Sequence, residues 1–183
     1  NRVVRITDGL AVKFGYFVTA REFRNQQVAQ RSLDASIVHV PTAHRFILKG
    51  GIGYIMMDYV NGATLDLTSA KPIAAELANV LAHIHHQGAT RPGPLGGGPV
   101  SGVLWPKHED VEFSNADDFQ HWFDQRLPNA ERKPNLQRHT LSMCHLDFNP
   151  RNIIVDGGRI SLIDWSGAGY FPRFSEHIVY QFL

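Results

Sequence analysis

Along the chain, the spacing of apolar residues switches between a two-residue and a helical repeat, and these switches mark out the expected elements. In "VVRITDGLAVKFG" β-forming residues flank Asp8-Gly9, a dipeptide that tolerates positive φ. Two short strands joined by a tight hairpin are therefore expected, with Lys13 on the second. "VTAREFRNQQVAQRS" then reads as a helix, with Thr19 as its cap and Glu22 three residues later to complete a capping box. "ASIVHVPTAHRFILKGGIGYIMMDYVNG" carries β-branched and aromatic runs broken by Pro41 and by Gly50-Gly51, which predicts strands and a further hairpin.

Beyond Gly62 the pattern changes. "KPIAAELANVLAHIHHQG" places Ile73, Leu77, Val80, Leu81 and Ile84 at helical spacing, with Pro72 in the first turn and Gly88 at the stop. A Gly/Pro-rich loop, "RPGPLGGGPVSGVLWP", separates it from a second helix, "SNADDFQHWFDQRL". Ser114 is its expected cap, and Phe119, Trp122, Phe123 and Leu127 form its apolar stripe. "NIIVD" and "ISLIDW" are expected strands around Gly157-Gly158. The fold class that follows is α+β and bilobal. An antiparallel N-lobe with one helix spans residues 1–61, a linker lies within 58–64, and a mainly helical C-lobe spans 62–183 and carries the last hairpin.

Composition narrows the function. Eighteen basic and 17 acidic residues are spread along 183 positions, so nothing marks a nucleic-acid or anionic-membrane partner. Any phosphate is held locally. Cys144 is the only cysteine, which excludes an internal disulfide and fits a reducing, cytoplasmic setting. No apolar run is long enough to cross a bilayer. The start at Asn1 and the end inside the apolar pattern "IVYQFL" suggest a piece of a longer protein.

The chemistry concentrates in "CHLDFNPRNIIVDGGRISLIDW". A hairpin there brings the polar residues at its open ends, Asp147, Asn152 and Asp164, close together. Phosphoryl transfer needs such a set: a carboxylate to orient and deprotonate an attacking hydroxyl, and an amide with a second carboxylate to hold magnesium on nucleotide phosphates. Turn residues are the plain alternative for these positions, and Asp156 beside Gly157 is read as one. The histidines at 83–86 are read as a solvated helix end, "GGIG" at 50–53 as a hairpin turn, and the Phe119/Trp122/Phe123 stripe as core.

His145-x-Asp147-x-x-x-x-Asn152 followed by Ile163-Asp164-Trp165 resembles the catalytic loop and metal segment of the aminoglycoside phosphotransferase and choline kinase-like family, particularly its fungal members. Leu146 stands where that family commonly has glycine, and Ser166 where it has an acidic residue. Upstream, "LAVKFG" is similar to the strand bearing its phosphate-binding lysine, here Lys13, and "TAREFRNQQ" to the helix whose glutamate, here Glu22, pairs with that lysine. "YIMMDYVNGATL" is similar to the hinge that reads adenine through backbone groups, here of Met57, Asp58 and Tyr59.

The resemblance implies a kinase-like fold that binds ATP or GTP with Mg2+ and phosphorylates a hydroxyl of a small molecule. Asp147 would be its base, His145 the support of the loop, and Asn152 and Asp164 its metal ligands. It also implies a phosphate-covering loop before Asn1 and further helices after the tail. A non-catalytic nucleotide-binding or interaction protein with the same fold stays open as a second reading. A protein kinase is weaker still, because Ile163-Asp164-Trp165 replaces Asp-Phe-Gly.

Overall fold

The structure is a computed structural model describing residues 1–66, 71–100, 105, 111–126 and 134–179. Its first unit is an antiparallel sheet of β1 (Arg2–Arg5), β2 (Leu10–Gly15), β3 (Ala43–Lys49) and β4 (Ile52–Asp58), in the order β1-β2-β4-β3, with α1 (Ala20–Ser32) inserted between β2 and β3. Alternation along β2 buries Ala11 and Lys13 on the face towards α1. On that face Val18, Ala43 and Ile55 pack with Phe23, Phe46 and Met57. The β1–β2 turn is wider than a two-residue hairpin. Ile6 N–H donates to Leu10 O at 2.8 Å, and neither Asp8 nor Gly9 takes a positive φ.

Next come β5 (Ala63–Thr64), α2 (Ala74–His86), β6 (Gly88–Ala89), β7 (Gly93–Pro94) and α3 (Ala116–Arg126). They are followed by β8 (Leu141–Cys144), β9 (Ile153–Asp156), β10 (Arg159–Leu162), β11 (Gly169–Pro172) and α4 (Phe174–Val179). Two small sheets result, β10-β9-β5 and β6-β8-β11-β7. Gly88 does not end α2 by a left-handed turn. The helix stops at an extended Gln87, and Gly88 pairs with Ser142. The α3 cap is Asn115, whose side chain accepts from Asp118 N–H at 2.9 Å, while Asp118 reaches back to Ser114 N–H. Leu127 lies outside the described residues.

Two cores hold this part together. One joins Ala29 of α1 and Leu33, just past its end, to Val80 and Ile84 of α2 and to Met143, Ile153, Leu162 and Trp165, so α1 is shared between the first sheet and the hairpin. The other is aromatic: Trp105, Phe113, Phe119 and Phe171, with Trp122 and Phe123 against them. Trp105 and Trp122 have ring centroids 5.4 Å apart. The α3 stripe is thus core packing, as its spacing predicts.

Candidate active site

Lys13 projects from the buried face of β2 towards the first turn of α1. Thr19 Oγ caps that helix by accepting from Glu22 N–H at 3.2 Å, as expected. The other half of the capping box does not form, because the Glu22 carboxylate turns to Lys13 Nζ at 2.5 Å. Both side chains are more than nine-tenths buried. Lys13 Nζ also lies 2.9 Å from Asp164 Oδ2, so two residues of the N-terminal sheet unit and one from beyond β10 form a single charge cluster.

Burial alone would lower the Lys13 pKa, but the two carboxylates outweigh it and hold the ammonium above the usual lysine range. Burial would raise Asp164, yet Lys13 outweighs it and holds that carboxyl below its usual range. Burial dominates at Glu22 and raises its pKa against the pull of Lys13.

The catalytic-loop candidates meet on the other side. β8 delivers His145, Leu146 and Asp147, and the β9–β10 hairpin returns the chain to Asp164. That hairpin turns on Gly157 and Gly158, whose φ values of 54° and 87° suit glycine at both positions of a tight turn. Asn152 Nδ2 donates to Asp147 Oδ2 at 2.7 Å and to its carbonyl at 2.9 Å. Asp147 Oδ1 accepts from the Asn149 side chain and, at 2.8 Å, from Arg151 Nη2. Ile163 N–H donates to Asn152 O at 2.9 Å, fixing the metal-segment backbone to the loop.

His145 is fully buried and edge-on to Trp165. Its Nε2 lies 3.0 Å from Ile163 O, and its Nδ1 accepts from Asp147 N–H. Burial lowers its pKa, so it is a neutral strut, with one nitrogen donating and the other accepting. Leu146 and Asp164 both take left-handed φ, 61° and 63°, unusual for side-chain-bearing residues and, among the described residues, confined to the two segments that meet at the site.

A metal is accommodated by the donor chemistry. Asp164 Oδ1 is buried without a hydrogen-bond partner, and Asn152, with its nitrogen on Asp147, has its amide oxygen left to coordinate. An oxygen-only donor set suits magnesium.

Met57, Asp58 and Tyr59 end β4 beside β2, where Ala11 pairs with Met57. Asp58 N–H donates to Thr42 O and Tyr59 N–H to Gly9 O, both at 3.0 Å, so these two donors are engaged in holding the sheet. The Asp58 carboxylate accepts from Thr42 N–H and contacts His44 Nε2 at 2.7 Å.

Three supporting residues escaped the sequence reading. Glu176 on α4 is almost fully buried and accepts from His145 N–H at 2.8 Å and Leu146 N–H at 2.9 Å, clamping the loop that carries Asp147. His85, within the 83–86 run, turns inward and places Nε2 3.8 Å from Glu176 Oε2. With Cys144 these two form a buried His/Cys/Glu cluster. It does not suit a metal, because both Glu176 oxygens are engaged by the loop backbone and burial pushes the Cys144 thiol up. Asn25 donates to Trp165 O and Ala168 O at 3.0 Å and accepts from Gly96 N–H at 2.9 Å, bolting α1 to the metal segment and to the Gly-rich loop. Only a composition of bare polar letters marked these positions in the sequence.

Comparison with known proteins bears on the family and the fold. A profile of APH, the phosphotransferase enzyme family, matches residues 1–179. No curated protein matches the chain. Among solved structures, a thermostable mutant of aminoglycoside phosphotransferase APH(4)-Ia, in ternary complex with AMP-PNP and hygromycin B, superposes with a TM-score of 0.62 at 17% identity. That match covers 91% of this chain and 62% of the other. A choline/ethanolamine kinase family protein from Mesorhizobium loti gives a TM-score of 0.52 at 16% identity, covering 94% of this chain and 57% of the other. The chain thus spans about three fifths of the length of these structures, and at such identities the likeness shows a shared fold.

Proposed function

The chain belongs to the phosphotransferase enzyme family, and on that premise we propose that it transfers the γ-phosphate of ATP or GTP to a hydroxyl of a small molecule. The observation that carries the reading is the convergence of buried Lys13 and Glu22 with half-buried Asp164 in one charge cluster, tied through the Ile163–Asn152 backbone bond to the loop that holds Asp147. A lysine held charged by two carboxylates is suited to nucleotide phosphates, and Glu22 keeps it aimed when Asp164 turns to a metal. The purine would lie against Met57, Asp58 and Tyr59. Asn152 and Asp164 would hold magnesium, which supplies charge neutralisation at the phosphates when bound.

Asp147 would orient the acceptor hydroxyl and take its proton as the new O–P bond forms and the bond to the leaving nucleoside diphosphate breaks. Its oxygens are positioned for this by Asn152 and by the neutral His145 strut beneath. The ternary complex of APH(4)-Ia with AMP-PNP and hygromycin B, a nucleotide analogue and a small molecule held together, supports the same reaction class.

The test is calorimetric titration of ATP and GTP, with and without magnesium, on the full-length protein and on this chain, each as wild type and Asp164→Ala. Magnesium-dependent binding lost in the variant supports the reading. A full-length protein that binds neither nucleotide sinks it.

A further inference from the structure

In the resting site the catalytic carboxylate is capped. Oδ2 of Asp147 accepts from Asn152, and Oδ1 accepts from Asn149 and from the Arg151 guanidinium. Asn152 is buried, whereas the Arg151 side chain is 62% exposed and sits at the mouth of the loop. Such an exposed ion pair contributes little to stability. Its position is what matters. A hydroxyl that reaches Oδ1 of Asp147 lies beside this guanidinium.

The carboxylates around the site are already engaged. Glu22 and Asp164 hold Lys13, and Glu176 holds the backbone N–H groups of His145 and Leu146. A polycationic acceptor therefore finds each of these three carboxylates already holding a cation or backbone N–H groups, and meets the positive charge of Arg151 at Asp147. An acceptor bearing a carboxylate or phosphate next to its hydroxyl finds the opposite. The planar fork of arginine matches both anions in a bidentate way. Drawing Arg151 onto that anion removes one of the two donors on Oδ1, leaves Asn149 as the other, and opens a lone pair of that oxygen to the incoming hydroxyl.

The geometry points to Arg151 as the residue that selects an anionic hydroxy acceptor and uncaps Asp147 as that acceptor binds. This rests on the phosphotransfer reading and deepens it. Arg151 touches the acceptor and has no part in holding the nucleotide.

The experiment uses full-length, nucleotide-loaded protein and acceptors in matched pairs: glycerate against glycerol, and glucose 6-phosphate against glucose, with choline as the cationic arm. Binding by calorimetry and transfer kinetics are read for wild type, Arg151→Ala, Arg151→Lys and Arg151→Glu, with magnesium-dependent nucleotide binding measured on each. In wild type the anionic member of at least one pair is expected to bind more tightly than its neutral counterpart, and the pair identifies carboxylate or phosphate as the group read. Arg151→Ala should raise KM for that acceptor by about tenfold or more, the loss of one charge-assisted contact, while nucleotide affinity is kept. Arg151→Lys should recover part of the effect, and Arg151→Glu should reverse the preference towards choline.

Nucleotide binding intact with no anionic member favoured over its partner overturns the assignment of Arg151. The assignment fails equally if Arg151→Ala weakens nucleotide binding and leaves acceptor discrimination unchanged. Loss of nucleotide binding in wild type overturns instead the phosphotransfer reading beneath it.

Discussion

At the scale of single residues, Lys13 sets how the site responds to pH. Near pH 10.4, roughly the ordinary lysine value, an unfolded Lys13 loses its proton while the folded one keeps it, so its contribution to stability disappears as pH rises through the raised folded value. Asp164 acts at the other end. An unfolded aspartate protonates near about pH 3.9, so the contribution of Asp164 is present above that value and lost as pH falls through its lowered folded pKa. Glu22 opposes it, since its pKa is raised by burial and stability falls as pH climbs from about 4.3 through the folded value.

Lys13→Met leaves two carboxylates facing each other without a cation and should cost on the order of 3 kcal/mol near neutrality. Denaturant titrations across pH should show the gap between wild type and variant narrowing at both extremes. A gap independent of pH would mean that the cluster is not ionised as described.

At the scale of elements, α1 does more than present Glu22. Asn25, fully buried one turn further on, ties the helix to Trp165, Ala168 and Gly96. Asn25→Ala leaves Gly96 N–H without its acceptor and removes one of the two donors at Trp165 O and at Ala168 O, and should cost about 1–3 kcal/mol, with a matching loss of nucleotide affinity as the segment after Asp164 loosens. Urea unfolding and calorimetry on the same sample would read both. Glu176→Gln replaces one of two acceptors facing backbone N–H groups with a donor, so kcat should fall while nucleotide affinity stays near wild type. Equal losses in both would show that α4 supports the whole cleft and not the loop alone.

The sequence legibility of these parts divides by range. The Thr19 cap and the Gly157-Gly158 turn are set by contacts within a few residues, and the α3 stripe by its own helical repeat, so local pattern reveals them; the Lys13–Glu22 pair comes only with the family resemblance. Asn25 and Glu176 act on partners 140 and about 30 residues away, and a lone polar letter carries no signal of where its partner lies. The α3 cap at Asn115 and the extended end of α2 were settled by hydrogen bonds that neighbouring residues could equally have made.

At the scale of the whole molecule, the candidate site is assembled from segments far apart in the chain, and α1 packs against both the first sheet and the core beneath the hairpin. A ligand that bridges Lys13 and the Asn152/Asp164 pair therefore stabilises the two parts together. At a nucleotide concentration 100 times its Kd, with magnesium, linkage gives about 2.7 kcal/mol of added stability. A single thermal transition should move upward as one. Two transitions, only one of them shifted, would show that the sheet unit and the hairpin unit unfold independently. The collinear order of strand, helix, hinge and loop made this architecture readable from the chain. The acceptor side was less so, because what Arg151 touches depends on a loop folded back onto its own aspartate.

The thiol of Cys144 has a use unrelated to catalysis. It is the only cysteine, has no exposed surface and directly precedes His145. A disulfide reagent can reach it only when β8 parts from β11, so its labelling rate under native conditions clocks the spontaneous opening of the strand that delivers Asp147. An unmodified protein thus carries its own single-site gauge of how often this strand comes loose, and of how far any added ligand keeps it shut.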